Sequence, residues 1–326
     1  MPKPQLSRRI FAVIATVVLI AGCGGTQSNS EVPAAKPVEQ QAPVIDSLVT
    51  AEWLNQHLDE PDLVVLDCTV LVEQGEDGSM QAVNGRTNYE DGHIPSAGFA
   101  DLMGDLADGD SELQFAVPTP EGFAAAMSAL GVGDDSRVVL YDASGSSWAA
   151  RVWWMLRWIG FDRAALLDGG LAAWTAEGLP LSTGPYDPPP AVLTPAPRPG
   201  LIADRDEVLA AIDDGSVHII DVLPEPYYRG EMVMYARPGH ITSALNVSVM
   251  GLFDETGHFR SQDELAALHT TDHDARHITY CGGGIAASSN AFVMTRLGFT
   301  NVAVYTASLQ EWTADPDLPM ETVPAQ

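Results

Sequence analysis

RHITYCGGGIAAS (276–288) is the stretch on which the fold turns. A short run rich in β-branched and aromatic side chains leads to a single cysteine. Three glycines follow, and then small residues open a helix. The same grammar occurs once before, at 136–147, as SRVVLYDASGSS. There Asp142 stands where Cys281 stands in the later copy.

The echo extends far beyond this loop. LVVLD (63–67) parallels VHIID (217–221), and YEDGHIPSA (89–97) parallels ARPGHITSA (236–244). MLRWIGFDRAALLDGGLAAW (155–174) parallels MTRLGFTNVAVYTASLQEW (294–312). So long an offset, kept in the same order through every pair, is duplication of a whole domain rather than a short solenoid repeat. Within each copy, short apolar runs alternate with helical patterns, which predicts an α/β fold: a mainly parallel sheet flanked by helices, made twice. Thr50 and Thr119 read as helix N-caps, and Gly131 and Gly160 as C-terminal stops. Between the copies, STGPYDPPPAVLTPAPRPG (182–200) carries too many prolines for a helix or sheet interior. The expected organisation is an N-terminal domain at 45–184, a Pro-rich linker at 185–199 and a C-terminal domain at 200–326.

The first residues read as targeting rather than fold. Lys3, Arg8 and Arg9 precede an apolar run, IFAVIATVVLI (10–20), which is short for a membrane span. It ends in IAGC, and this resembles a bacterial lipoprotein signal over 1–23, cleaved before a lipidated Cys23. Residues 24–44 have almost no large apolar side chains and read as a flexible tether. The expected location is the cell envelope, on the periplasmic or extracellular face of a bacterial membrane.

The 44 acidic against 16 basic residues give a formal net charge of -28. That bias argues against nucleic-acid partners and for a self-repelling surface. With Cys23 at the lipid position, Cys68 and Cys281 remain. Cys68 lies at the end of a buried strand pattern and reads as a small hydrophobe, so no disulfide is expected. No Cys/His spacing points to a metal or another cofactor.

Both loop starts, Tyr141-Asp142 and Tyr280-Cys281, fall just past the carboxyl end of an expected strand, where open α/β sheets place their ligand crevices. One copy offers a carboxylate there and the other a thiol, so the second copy is the chemical one. Gly282, Gly283 and Gly284 allow successive backbone N–H groups to turn inward. The helix expected from about Ile285 aims its positive end at the same spot. A thiol so placed ionises readily, and the cradle equally suits a persulfide anion. No Lys or Arg occurs from 277 to 295, so the expectation is that backbone donors alone hold the charge.

Over about 45–322 the chain resembles the rhodanese family of two-domain sulfurtransferases. The resemblance rests on Gly92-His93-Ile94 and Gly239-His240-Ile241, on RVWWM (151–155), on LLDGGLAAW (166–174) and on the single Cys281 loop. It implies an inactive first domain with Asp142 at the cysteine position and a catalytic second domain with Cys281 as nucleophile. It also implies a persulfide intermediate, a small anionic sulfur donor, and an acceptor such as cyanide, a thiol or a thioredoxin-like protein. The neutral loop Cys281–Gly282–Gly283–Gly284–Ile285–Ala286 looks like the 3-mercaptopyruvate type, in which the residues after the cysteine line the substrate site. It lacks the loop hydroxyls often seen in that type. Thiosulfate is the alternative donor. Family arginines between the second domain's first strand and its GHI turn imply Arg237 and Arg229 as carboxylate clamps. Both histidines of the GHI turns read as turn-stabilising.

Two other readings compete. A phosphatase or arsenate reductase on this fold needs a longer loop closed by an arginine, and position 287 is Ala. A tethered module that carries sulfur without turnover would share the loop but lack catalysis.

Overall fold

The computed structural model describes residues 45–75, 80–143 and 145–323. The segments expected as signal and tether, and Cys23, lie outside the described residues. In the first half the elements run β1 (Leu48–Val49), α1 (Ala51–His57), β2 (Leu63–Asp67), β3 (Val70–Gln74), β4 (Met80–Asn84), α2 (Arg86–Asp91), β5 (Ala97–Phe99), α3 (Pro120–Ala129), β6 (Arg137–Tyr141), α4 (Ser147–Trp158), β7 (Ala164–Leu167) and α5 (Gly170–Ala176). The second half continues with β8 (Ile202–Ala203), α6 (Arg205–Ala211), β9 (Val217–Asp221), α7 (Glu225–Tyr228), β10 (His240–Ile241), β11 (Leu245–Asn246), α8 (Gln262–Leu268), β12 (Arg276–Tyr280), α9 (Ile285–Arg296), β13 (Val302–Tyr305), α10 (Ser308–Trp312) and β14 (Met320–Glu321).

The duplication is written into the sheets. The first is ordered β1-β7-β6-β2-β5 and the second β8-β13-β12-β9-β11, and every strand pair in both is parallel. Even the register repeats: Asp67 faces Tyr141 across β2/β6, and Asp221 faces Tyr280 across β9/β12. Parallel sheets need cover on both faces, which is why their central strands are apolar throughout; β6 is buried at every residue.

Helix boundaries follow the local chemistry. The Thr50 hydroxyl accepts from Trp53 N at 3.1 Å, and Thr119 accepts from Gly122 N at 3.1 Å ahead of Pro120. Gly131 and Gly160 take φ of 84° and 94° just past α3 and α4, the left-handed conformation that ends a helix at little strain. The proline-rich connection is strapped down. Ala191 N donates to Ser128 O at 2.9 Å, Ala196 N to Ile159 O at 2.7 Å and Arg198 N to Trp158 O at 2.7 Å. It thereby satisfies carbonyls that the ends of α3 and α4 leave open.

The two halves meet along α4 and α9, which pack against each other. Trp153 places its ring edge-on to Phe292 at 4.8 Å, and Ser289 Oγ donates to Ser147 Oγ at 3.2 Å. Trp153 and Trp154 are buried here, their indole N–H groups donating to Ala164 O and Leu201 O at 2.9 Å each. One apolar cluster therefore runs through both halves, and it brings the N-terminal ends of α4 and α9 side by side.

Candidate active site

Asp142 shows what the strand–loop–helix turn is built to hold. Its carboxylate accepts from Ser146 N at 3.0 Å, Trp148 N at 2.9 Å and Ala149 N at 2.9 Å, and the residue is fully buried. Those donors are the N-cap, second and third residues at the start of α4. The first copy thus seats a carboxylate group on a helix N-terminus.

Cys281 occupies the corresponding place before α9, with a loop one residue shorter. Gly284 is the N-cap, in the same left-handed conformation (φ 81°) that Ser146 adopts (φ 65°). Backbone contacts repeat as well: Leu171 N donates to Asp142 O at 3.0 Å, and Leu309 N to Cys281 O at 3.1 Å. Cys281 is 3% exposed and carries no disulfide, and neither does the fully buried Cys68. Burial pushes the Cys68 thiol well above its ordinary pKa, with Asp67 and Asp142 adding to the rise, so that thiol is inert packing.

Ser308 is a site residue that sequence reasoning missed. Its counterpart in the first copy is Gly170, held at φ 56° against the backbone of Asp142. Ser308 keeps this left-handed backbone (φ 53°) although it has a side chain. Its hydroxyl accepts from Cys281 N at 3.1 Å and donates to Tyr305 O at 2.7 Å. A strained, buried serine thus fixes the backbone that carries the thiol. The break of the GG pair into Ala307-Ser308 was the available signal.

Two further neighbours come from outside the loop. The Tyr235 hydroxyl lies against Gly282, so close that a Cβ at that position would collide with it. Burial, with the charge on Cys281 adding to it, raises the Tyr235 phenol to about 12. It is therefore a proton-bearing donor at neutral pH. Arg151, in the first turns of α4, places Nη1 2.8 Å from where a Cβ on Gly284 would be. The loop's lack of Lys and Arg from 277 to 295 implies backbone donors alone. The structure brings a cation against the loop at Gly284 from the other copy, where no reading of the loop alone would find it. Above the loop, Gln310 reaches the first half in both directions. Gln114 N donates to its Oε1 at 3.1 Å, and its Nε2 donates to Gln114 O at 2.9 Å.

The two arginines expected as clamps are committed elsewhere. Arg237 Nη2 donates to Trp312 O at 2.9 Å, Nη1 to Leu318 O at 2.8 Å and to Pro316 O at 3.4 Å, and Nε to Thr313 O at 3.3 Å. Its guanidinium caps the carbonyl end of α10, where four acceptors converge on one cation. Arg229 is engaged by Glu231 at 2.8 Å and Glu225 at 4.0 Å, the pairing an acidic surface imposes on an arginine. The GHI histidines hold turns: His93 Nδ1 meets Tyr89 O at 2.8 Å and His240 Nδ1 meets Tyr228 O at 2.7 Å. Each stacks on the tyrosine it bonds, at 4.1 and 3.8 Å.

Comparison with known proteins gives this architecture its class. The rhodanese-like domain family matches twice, over residues 50–177 and 204–315, so the chain belongs to the rhodanese family. Its relatives narrow the kind. It is 35% identical over 282 residues to the 3-mercaptopyruvate sulfurtransferase of Escherichia coli (strain K12), covering 84% of this chain and 98% of that one. It is 31% identical to the human 3-mercaptopyruvate sulfurtransferase (82% and 91% covered) and 30% to the thiosulfate sulfurtransferase of Rattus norvegicus (82% and 91%). The crystal structure of SseA from Escherichia coli superposes with a TM-score of 0.71 at 33% identity, covering 81% of this chain and 99% of that one.

Proposed function

We propose that this protein is a sulfurtransferase that moves sulfane sulfur from 3-mercaptopyruvate to a thiophilic acceptor through a persulfide on Cys281. The observation that carries the reading is the seated Asp142 carboxylate. The first copy displays a carboxylate where the second copy would hold a thiolate or persulfide, on the same turn before the same helix.

The chemistry follows from that placement. The Cys281 thiolate attacks the donor's sulfur, forming an S–S bond. The C–S bond breaks and its electron pair passes into the enolate of pyruvate. The proton carried by the donor sulfur ends on the methyl carbon, leaving pyruvate and an anionic persulfide. Helix α9 and the loop from Gly282 to Ala286 stabilise that anion throughout, so the site binds the charge it creates. An acceptor then takes the outer sulfur. Cyanide leaves as thiocyanate, whereas a dithiol such as a thioredoxin-like protein becomes a disulfide and releases hydrogen sulfide. Either route returns the thiolate.

The neutral loop favours 3-mercaptopyruvate over thiosulfate, because a dianionic donor in so acidic a protein would gain from basic residues that 277–295 lacks. Steady-state assays with each donor and cyanide as acceptor test this. Parallel double-reciprocal lines and a higher kcat/KM for 3-mercaptopyruvate are expected. No turnover of either donor by reduced protein, or turnover surviving in Cys281→Ser, refutes the reading. The envelope location belongs to the same proposal. It rests on the charged, apolar and IAGC pattern ending at Cys23, and is tested by detergent partitioning of wild type against Cys23→Ser.

A further inference from the structure

Arg151 is fully buried, and its surroundings do not neutralise it. Nη2 donates to Phe115 O at 2.9 Å, while Nε and Nη1 have no hydrogen-bond partner. Among the described residues, nine arginines lie within 4.0 Å of a carboxylate. Arg163 stands over the Phe161 ring and Arg237 serves four carbonyls. Among the described arginines, Arg151 alone combines complete burial with open donors. In a chain of 44 acidic residues, keeping one buried cation clear of every carboxylate is a specific arrangement. A buried charge without a counter-ion is strongly unfavourable, so this site is incomplete until an anion arrives.

The geometry says where. The Arg151 guanidinium lies against Gly284, three residues past Cys281. Burial lowers the Arg151 pKa to about 10, and among the described residues the charge of Cys281 opposes that fall; the guanidinium stays charged at neutral pH. Tyr235, which also faces the Cys281 loop, is neutral in the same range. The carbonyl that holds Arg151 belongs to Phe115, whose φ of 57° is a left-handed backbone for an aromatic residue. Phe115 in turn packs on Trp148 at 5.2 Å. A strained segment of the first copy thus aims the cation at the second copy's loop.

We propose that Arg151, donated across the interface by the copy without a nucleophile, is the counter-charge of the Cys281 thiolate and persulfide. It is a positioning residue: it sets the thiol's ionisation and leaves the chemistry to Cys281. This rests on Cys281 being the reactive thiol, but it is read without turnover. The rate of iodoacetamide alkylation of Cys281, followed by mass spectrometry from pH 4 to 10, gives the thiol's pKa directly.

In Arg151→Met the midpoint is expected to rise by about one pH unit or more, with alkylation at neutral pH falling about tenfold. Arg151→Lys, which keeps the charge, is expected to recover most of the loss. A second readout leaves Arg151 in place: Cys281→Asp is expected to melt above Cys281→Asn at neutral pH, with the gap closing as the new carboxyl is protonated. This comparison stands even if Arg151→Met does not fold. An unchanged alkylation midpoint in a folded Arg151→Met, or Cys281→Asp melting no higher than Cys281→Asn, overturns the proposal. A shifted midpoint in a protein that transfers no sulfur would uphold the counter-charge and sink the sulfurtransferase reading instead.

Discussion

Replacing Ser308 separates the two demands that the site makes on it. In Ser308→Ala the hydroxyl is lost, so Cys281 N loses its acceptor at 3.1 Å and Tyr305 O its donor at 2.7 Å. A buried polar group left unpaired costs about 1–3 kcal/mol. The left-handed φ of 53° remains, with its strain of roughly 1 kcal/mol. Ser308→Gly loses the same hydrogen bonds but releases that strain, as Gly170 does in the first copy at φ 56°. The expected order of stability is wild type, then Gly, then Ala, with the two variants about 1 kcal/mol apart. Urea denaturation with a common m-value reads the order, and thermal melting should separate the variants by about 2–4 °C. Both should lose sulfur transfer, because the backbone under the thiol is no longer held. If Ser308→Ala is as stable as Ser308→Gly, the claim that this serine is strained in order to hold Cys281 is wrong.

Other expectations follow from the same geometry. Arg237→Ala should destabilise by about 1.5–3 kcal/mol, since charged donors leave the carbonyls of Trp312, Thr313 and Leu318. Its effect on the donor's KM should be small, and a rise in KM without loss of stability would restore the clamp role. Stability should also fall in acid. Burial, reinforced by His218, His269 and His273, lowers His277 from 6.5 to about 4, so from pH 6.5 downward the unfolded chain takes up a proton that the folded chain refuses. That amounts to about 3 kcal/mol lost across the window, and His277→Asn should flatten the slope in denaturation curves. Asp221 acts with the opposite sign. Burial raises it from 3.8 to about 7, so its contribution is complete below pH 3.8 and fades as pH rises through 7, and Asp221→Asn should flatten that limb.

The fold was legible because the chain states it twice. Strand ends such as LVVLD and VHIID, followed in the same order by the GHI turns and the Tyr141 and Tyr280 strand ends, predict two sheets of one order, and those are the sheets observed. The thiol was legible because local backbone chemistry, a glycine loop leading into a helix, needs no distant partner to be recognised. What sequence could not supply was anything decided between elements. Arg151 reaches the loop only because α4 packs on α9. The contacts of Arg237 were out of reach too, because the end of α10 it caps lies 75 residues further along, and four converging carbonyls leave no trace in its own neighbourhood. Ser308 stood between these cases: its departure from the repeated GG was visible, but the contact that explains it was not.

The most direct test of the account is the intact mass of the reduced protein after brief exposure to 3-mercaptopyruvate and removal of the donor. The account predicts one added sulfur atom, mapped to Cys281, lost on adding cyanide and absent in Cys281→Ser. Sulfur retained on Cys68, or no added mass while pyruvate accumulates, would contradict it.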